Sequence, residues 1–407
     1  MSQREGQTLW RLPDGMDEML PQQAHILESL RRAIYDMHIR WGYQPVEPPF
    51  VEFLDSLLSG TGRDFERQTF KVTDPLSGRM MGVRADMTPQ VARIDAHQMA
   101  DSDVSKLFYL ATVVRAHIDG VEKNRTPLQL GAEIFGHAGP QSDVEIIRLM
   151  LAALRCVGIE EIHLDLGHVG IFRSLCDHIG LNDEDQSSLF VLLQRKAVPD
   201  IGAFADSLGL ASNYQHLLCE LCSMNGDDQV LARARVMLGD VIGIGKTRTG
   251  MTEALDELEQ IRDLLLPLSS HTSLHFDLAE VRGYQYHTGV VFAAYTPDSS
   301  SEIARGGRYD GIGESFGRSR PATGYSTDLK LLLRLIGYDR LADRFNTLSQ
   351  HRTAILCPDD NCPELQSVVS QLREQGEIVI HELSGLNQSV FDRAIRKSEG
   401  AWSVESI

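Results

Sequence analysis

Apolar positions in residues 22–41 fall at Ile26, Leu27, Leu30, Ile34 and Met37, at spacings of three and four that predict an amphipathic helix. The stretch "WGYQPVEPPF" (41–50) ends it, because proline cannot continue helical geometry, and leads into an extended strand. Short apolar runs follow in "TFKVTD" (69–74), "MMGVRAD" (80–86), "KLFYLATVVRAH" (106–117) and "LQLGAEIFG" (128–136), which read as strands of an antiparallel sheet. Residues 143–157 and 168–180 have helical period and flank the strand "EIHLDLG" (161–167). From about 184 to 266 the pattern is helical throughout, and "LHFDLAEVRGYQYHTGVVFAAYT" (274–296) returns to alternation. The tail reads as strand "TAILCP" from 353, helix 363–375, strand "EIVIHEL", helix 388–398 and a stub "AWSVESI".

This order predicts an α+β protein: an antiparallel sheet flanked by helices, interrupted by a helical insertion and followed by a small, truncated C-terminal α/β module. The expected boundaries are 1–183 and 267–340 for the two parts of the sheet domain, 184–266 for the insertion and 341–407 for the tail.

Composition narrows the function. The 39 basic and 57 acidic residues give a net charge of −18, which disfavours a broad phosphate-backbone footprint, so no nucleic-acid partner is expected. Six cysteines are sparse for 407 residues, and the N-terminus has no apolar run to serve as a signal peptide. No stretch of about eighteen apolar residues occurs, so no membrane span is expected and the reading is cytoplasmic. "GIGKTRTG" (243–250) imitates a phosphate loop, but Asp240 stands where that loop needs glycine. "CELC" (219–222) has the spacing of half a zinc site and lacks a second pair nearby. Neither a metal nor a cofactor is expected.

Four stretches, in order, resemble the class II aminoacyl-tRNA synthetases. "GYQPVEPPFVE" (42–52) is similar to motif 1, the dimer-forming helix and strand, with its proline at Pro49. "VVRAHIDGVEKNRTPLQLGAEIFG" (113–136) resembles motif 2 of the histidyl branch, "VRGYQYHTGVVF" its histidine-recognition signature, and "ARGGRYDG" the strand after it. The residue types suit free histidine, which needs a cation for its carboxylate and acceptors for its ammonium group and a ring N–H. By the resemblance, Arg282 meets the carboxylate, Asp86, Thr88 and Gln129 the ammonium group, and Glu133 the imidazole, with Tyr286 in the wall. Two positions depart: Asp86 stands where synthetases carry glutamate, in "RADMT" for "RPEGT", and His287 replaces a second tyrosine. Taken singly, Arg282 also reads as a structural ion-pair partner, Glu133 as a solvated strand residue and Tyr286 as core.

Motif 3 is damaged. Its arginine stacks on adenine in the synthetases, a role that needs a planar cation, whereas "GYSTDLKLLL" (324–333) puts Leu331 there, Lys330 at the glutamate and Asp328 at a close-approach glycine. Adenylation is therefore expected to be lost, with Arg115 and Arg125 left as possible phosphate or nucleotide contacts. The tail, 353–407, carries nine acidic and four basic residues, a poor surface for an anticodon. A histidyl-synthetase-like core, a spoiled motif 3 and no anticodon domain together resemble the regulatory-subunit family of ATP phosphoribosyltransferase. That resemblance implies a non-catalytic subunit that binds L-histidine, self-associates as a homodimer and joins a short-form catalytic subunit in the first step of histidine biosynthesis. A divergent histidyl-tRNA synthetase, or a paralogue modifying another molecule, are the competing readings.

Overall fold

The computed structural model describes residues 11–407 except 61, 100–101, 118–123, 243–249, 282, 284–285, 347–353, 361, 383–390 and 399. The imitation phosphate loop therefore lies almost wholly outside the described residues. The chain forms two compact units, 1–338 and 339–407.

The first unit is built on a nine-stranded sheet. Its spatial order is Gln44–Pro45, Ser105–Thr112, Leu128–Phe135, Ala322–Asp328, Ala304–Arg308, Val290–Tyr295, Ile162–His168, Thr272–Asp277 and Asn225–Gly226. The expected antiparallel pairing holds across the six central strands from Ser105–Thr112 to Ile162–His168. It gives way to parallel pairs further out, between Gln44–Pro45 and Ser105–Thr112 and between Ile162–His168 and Thr272–Asp277. Parallel neighbours need a long crossover, and the second of these is supplied by the helical insertion.

One face of the sheet is covered by the helix Pro140–Val157, which starts with proline at its first turn, ends at the left-handed Gly158 and buries Ile146, Ile147, Met150 and Leu154. The predicted N-terminal helix is Pro21–Arg40, with Ile26, Leu30, Ile34 and Met37 buried. A separate antiparallel sheet of Val51–Phe53, Met80–Val83 and Phe70–Thr73 follows it. The insertion consists of Asp183–Gln194, Val198–Ser207, Ser212–Leu221, Gln229–Ile242 and Gly250–Leu265. Its last helix packs on Pro140–Val157 and Val169–Ile179, where Glu257 lies 3.0 Å from His168 Nε2, so the insertion ends as part of the core layer.

Two local expectations change. The stretch 274–296 is two strands, Thr272–Asp277 and Val290–Tyr295, and before the second of them His287 N–H donates to Gly283 O. In the second unit the expected helix 388–398 is instead the strand Arg393–Ser398, residues 388–390 lying outside the described ones. Val390, Phe391, Ala394 and Ile395 have helical spacing, but Arg393–Ser398 pairs with Ile355–Cys357 on one side and forms a hairpin with Ala401–Ser406 on the other. Gly400, at φ +87°, makes that hairpin turn. Helix Pro363–Glu374 covers this four-stranded sheet and buries Leu365 and Val369 against Ile355, Val379 and Ile395.

Candidate functional site

Strand alternation sorts the side chains of the central sheet. On Ala304–Arg308, Arg308 points to the covering helix and donates to Asp143 Oδ2 at 2.8 and 3.1 Å, to Ser142 Oγ at 2.8 Å and to the carbonyls of His137 and Gly139. The second arginine of "ARGGRYDG" thus locks helix to sheet. Its neighbour Gly307 points the other way, where the His287 ring covers it beside a cleft of about 520 Å³.

Gly324 lines that cleft, and Gly307 lies directly opposite it on the adjacent strand. A Cβ on Gly324 would overlap the Glu133 carboxylate, and one on Gly307 would come within 3.0 Å of the His287 ring. Bare backbone at both positions lets these side chains lie flat over the sheet.

Glu133 is only 1% exposed, which removes the solvated-strand reading. Tyr109 donates to its Oε1 at 2.9 Å and Tyr309 donates to its Oε2. Burial pushes its carboxyl up to about 8, against the pull of those two hydroxyls, and the nearby Asp86 adds to the rise. Thr88 Oγ1 lies 2.9 Å from Tyr109 Oη, and Asp86 Oδ1 accepts from Thr88 N–H at 2.8 Å. Tyr286 stacks on Tyr309 with ring centroids 5.1 Å apart, and its buried hydroxyl has no partner among the described residues. The cleft is acceptor-rich, with one unused hydroxyl, which suits a ligand carrying several N–H donors.

Asp86, Thr88, Glu133, Tyr286 and His287 all line this cleft. Arg282 lies outside the described residues. Gln129 does not line it: its Oε1 accepts from Met87 N–H at 3.0 Å, so it fixes the turn that presents Asp86 and Thr88. Arg115 lines the cleft, whereas Arg125 stacks over Phe70 at 5.0 Å and donates to Arg115 O at 3.0 Å, away from the lining. Tyr109 and Tyr309, which brace Glu133, were not singled out by the sequence pattern. Tyr109 occupies an ordinary alternating strand position, and only its register opposite Gly131 brings it to Glu133.

The damaged motif 3 is closed internally. Asp328 caps the helix Leu329–Ile336 and also accepts from Leu128 N–H at 2.9 Å and Asn124 Nδ2 at 3.0 Å. Leu331 is buried and absent from the cleft lining. Among the described residues no helix is long and apolar enough to cross a membrane, and no cluster of histidine, cysteine and carboxylate side chains could hold a metal.

The histidyl-tRNA synthetase family profile matches residues 15–332, and that of the C-terminal domain of the ATP phosphoribosyltransferase subunit HisZ matches 352–405. An ATP phosphoribosyltransferase regulatory subunit of Thioalkalivibrio sulfidiphilus is 47% identical over 98% of each chain, and one of Methylococcus capsulatus is 46% identical over 97% of this chain and 95% of its own. Among solved structures, an ATP phosphoribosyltransferase regulatory subunit/histidyl-tRNA synthetase from Bacillus halodurans superposes with a TM-score of 0.77 at 26% identity, covering 94% of this chain and 95% of its own. The histidyl-tRNA synthetase of Nostoc sp. PCC 7120 shares the fold, with a TM-score of 0.71 at 16% identity, over 98% of this chain and 97% of its own. A synthetase-like core with a closed motif 3, joined to a tail matched by a HisZ-specific profile, places the chain in the family of ATP phosphoribosyltransferase regulatory subunits.

Proposed function

We propose that this chain binds L-histidine in the Glu133 cleft and passes its occupancy to a short-form ATP phosphoribosyltransferase catalytic subunit, itself catalysing nothing. The observation that carries the reading is Glu133: a buried carboxyl, oriented by Tyr109 and Tyr309, at the floor of a cleft lined by Asp86, Thr88 and Tyr286. In this reading Glu133 accepts a ring N–H, Asp86 and Thr88 hold the ammonium group, Arg282 takes the carboxylate, and Gln129 acts through the Met87 turn. Regulation requires histidine to bind the active and restrained assemblies unequally, and a coupling of about 1–3 kcal/mol would change apparent affinity roughly 5- to 150-fold.

The test has two arms. Calorimetry on the isolated chain should detect histidine binding, and Arg282→Ala should weaken it by about 2–4 kcal/mol if the carboxylate is left unpaired. Mixing with the short catalytic subunit should change its ATP- and phosphoribosyl-diphosphate-dependent rate in a histidine-dependent way. A catalytic subunit that behaves identically with and without this chain refutes the regulatory role.

A further inference from the structure

Among the described residues, five of the six outer strands of the three sheets are two to four residues long: Gln44–Pro45, Asn225–Gly226, Val51–Phe53, Phe70–Thr73 and Val379–His381. Short edges offer little for another chain to pair with, and Pro45 and Lys71 protect two of these further, by a missing N–H and by a charge. The sixth, Ala401–Ser406 in the second unit, has six residues and no proline, lysine or arginine. Ala401, Ser403, Val404 and Ser406 on it are exposed. Ile407 N–H donates to Asp392 O at 3.0 Å, which fixes the phase of the hydrogen bonds along the hairpin. Bonded and non-bonded pairs alternate in an antiparallel ladder, so Ala401, Ser403 and Glu405 bond inward, opposite Ser398, Arg396 and Ala394. Trp402, Val404 and Ser406 then turn their N–H and C=O to the open edge, where no described residue meets them.

We infer that Ala401–Ser406 is a docking edge for a second copy of this chain, the two strands pairing antiparallel about a two-fold axis through Val404 and joining two four-stranded sheets into one. The edge is self-complementary in that register. Val404 meets Val404 and Trp402 meets Ser406, so every outward N–H and C=O of both strands finds a partner. Ser403 faces Glu405 of the other copy, and Glu405, which carries the strand's one charge, meets no like charge. A single strand pair buries far less than a standard interface, so association through this edge is populated at submillimolar rather than micromolar concentration.

Cross-linking of the full chain tests the register. Ser403→Cys and Glu405→Cys chains, mixed in equal amounts at about 0.5 mM with oxidised glutathione, should give a disulfide-linked dimer of one copy of each, because non-hydrogen-bonded partners lie about 4.5 Å apart at Cα, within disulfide reach. Ser403→Cys alone should cross-link at least about tenfold less, its own copies being diagonal neighbours about 7–8 Å apart. Sedimentation tests the association: the parent should gain mass between micromolar concentration and about 0.5 mM. Val404→Pro, which removes the central outward N–H and no bond within the hairpin, should keep its circular dichroism and lose that gain. A parent whose mass does not change over this range overturns the inference, as does cross-linking by Ser403→Cys alone that equals the mixture's. Slowed amide exchange at Trp402, Val404 and Ser406 that appears only when the short catalytic subunit is added gives the edge to that partner and overturns it too.

Discussion

Lys330 Nζ lies 2.8 Å from Asp17 Oδ1, so the N-terminal segment neutralises a cation on the very helix that carries the end of the damaged motif 3. The same Asp17 carboxylate accepts from Thr126 Oγ1 at 3.1 Å, and Arg125 N–H donates to Gly15 O at 2.7 Å, tying that segment to the motif 2 loop. With Asp328 bonded to Asn124 and Leu128, these groups satisfy one another. The expected outcome is no histidine-dependent exchange of pyrophosphate into ATP. Combining Asp328→Gly with Leu331→Arg should not restore it, and should cost more than about 1 kcal/mol in urea unfolding, because Leu128 N–H and Asn124 lose their acceptor and a buried leucine becomes a cation. Exchange by the unmodified chain would contradict this.

Glu133 gives a pH signature. Its folded-state pKa, near 8, lies above the ordinary 4.5, so the folded chain holds a proton that the unfolded chain releases. Its stabilising contribution is full below about pH 4.5 and is lost as pH rises through 8, at no more than about 1.4 kcal/mol per pH unit. Glu133→Gln, which cannot ionise, should flatten the stability slope between pH 5 and 8 in denaturant titrations and weaken histidine binding. A slope identical to the parent's would assign the pH dependence elsewhere.

Gly324→Ala places a methyl group where the Glu133 carboxylate lies. Nothing in the helical layer need move, so the variant should fold, lose about 1–3 kcal/mol of stability through overpacking, and bind histidine at least about tenfold more weakly. Circular dichroism and calorimetry on one preparation separate the two effects.

Phe53 and Val72, both in register with Met81 and so on one face, are exposed on the small sheet that follows the N-terminal helix, with Phe50 exposed beside it. An apolar face of this kind suits a two-fold contact with a second copy. Sedimentation at micromolar concentration should give a homodimer, and Phe53→Asp should shift it towards monomer without loss of secondary structure. A monomeric parent would remove this reading.

Local pattern was enough for the elements whose partners lie close along the chain or whose period is unambiguous. Pro21–Arg40, Pro140–Val157 and the strands Ser105–Thr112 and Leu128–Phe135 follow from spacing and proline placement alone. So does the loss of a cation at position 331, which is a matter of residue type. Tertiary structure decided what depends on register and burial. Arg393–Ser398 has helical spacing and became a strand because its ladder partner lies about forty residues away, at Ile355. Gln129 and Arg125 have the right chemistry for a ligand, yet their hydrogen bonds go to backbone groups of their own unit. Tyr109 and Tyr309 became the braces of Glu133 only when four strands met in register, with Tyr109 over Gly131 and the Glu133 carboxylate over Gly324. The sequence by itself determined which groups this protein possesses; desolvation and cross-strand register, which exist only in the folded chain, decided which of them line the cleft and raised the carboxyl of Glu133.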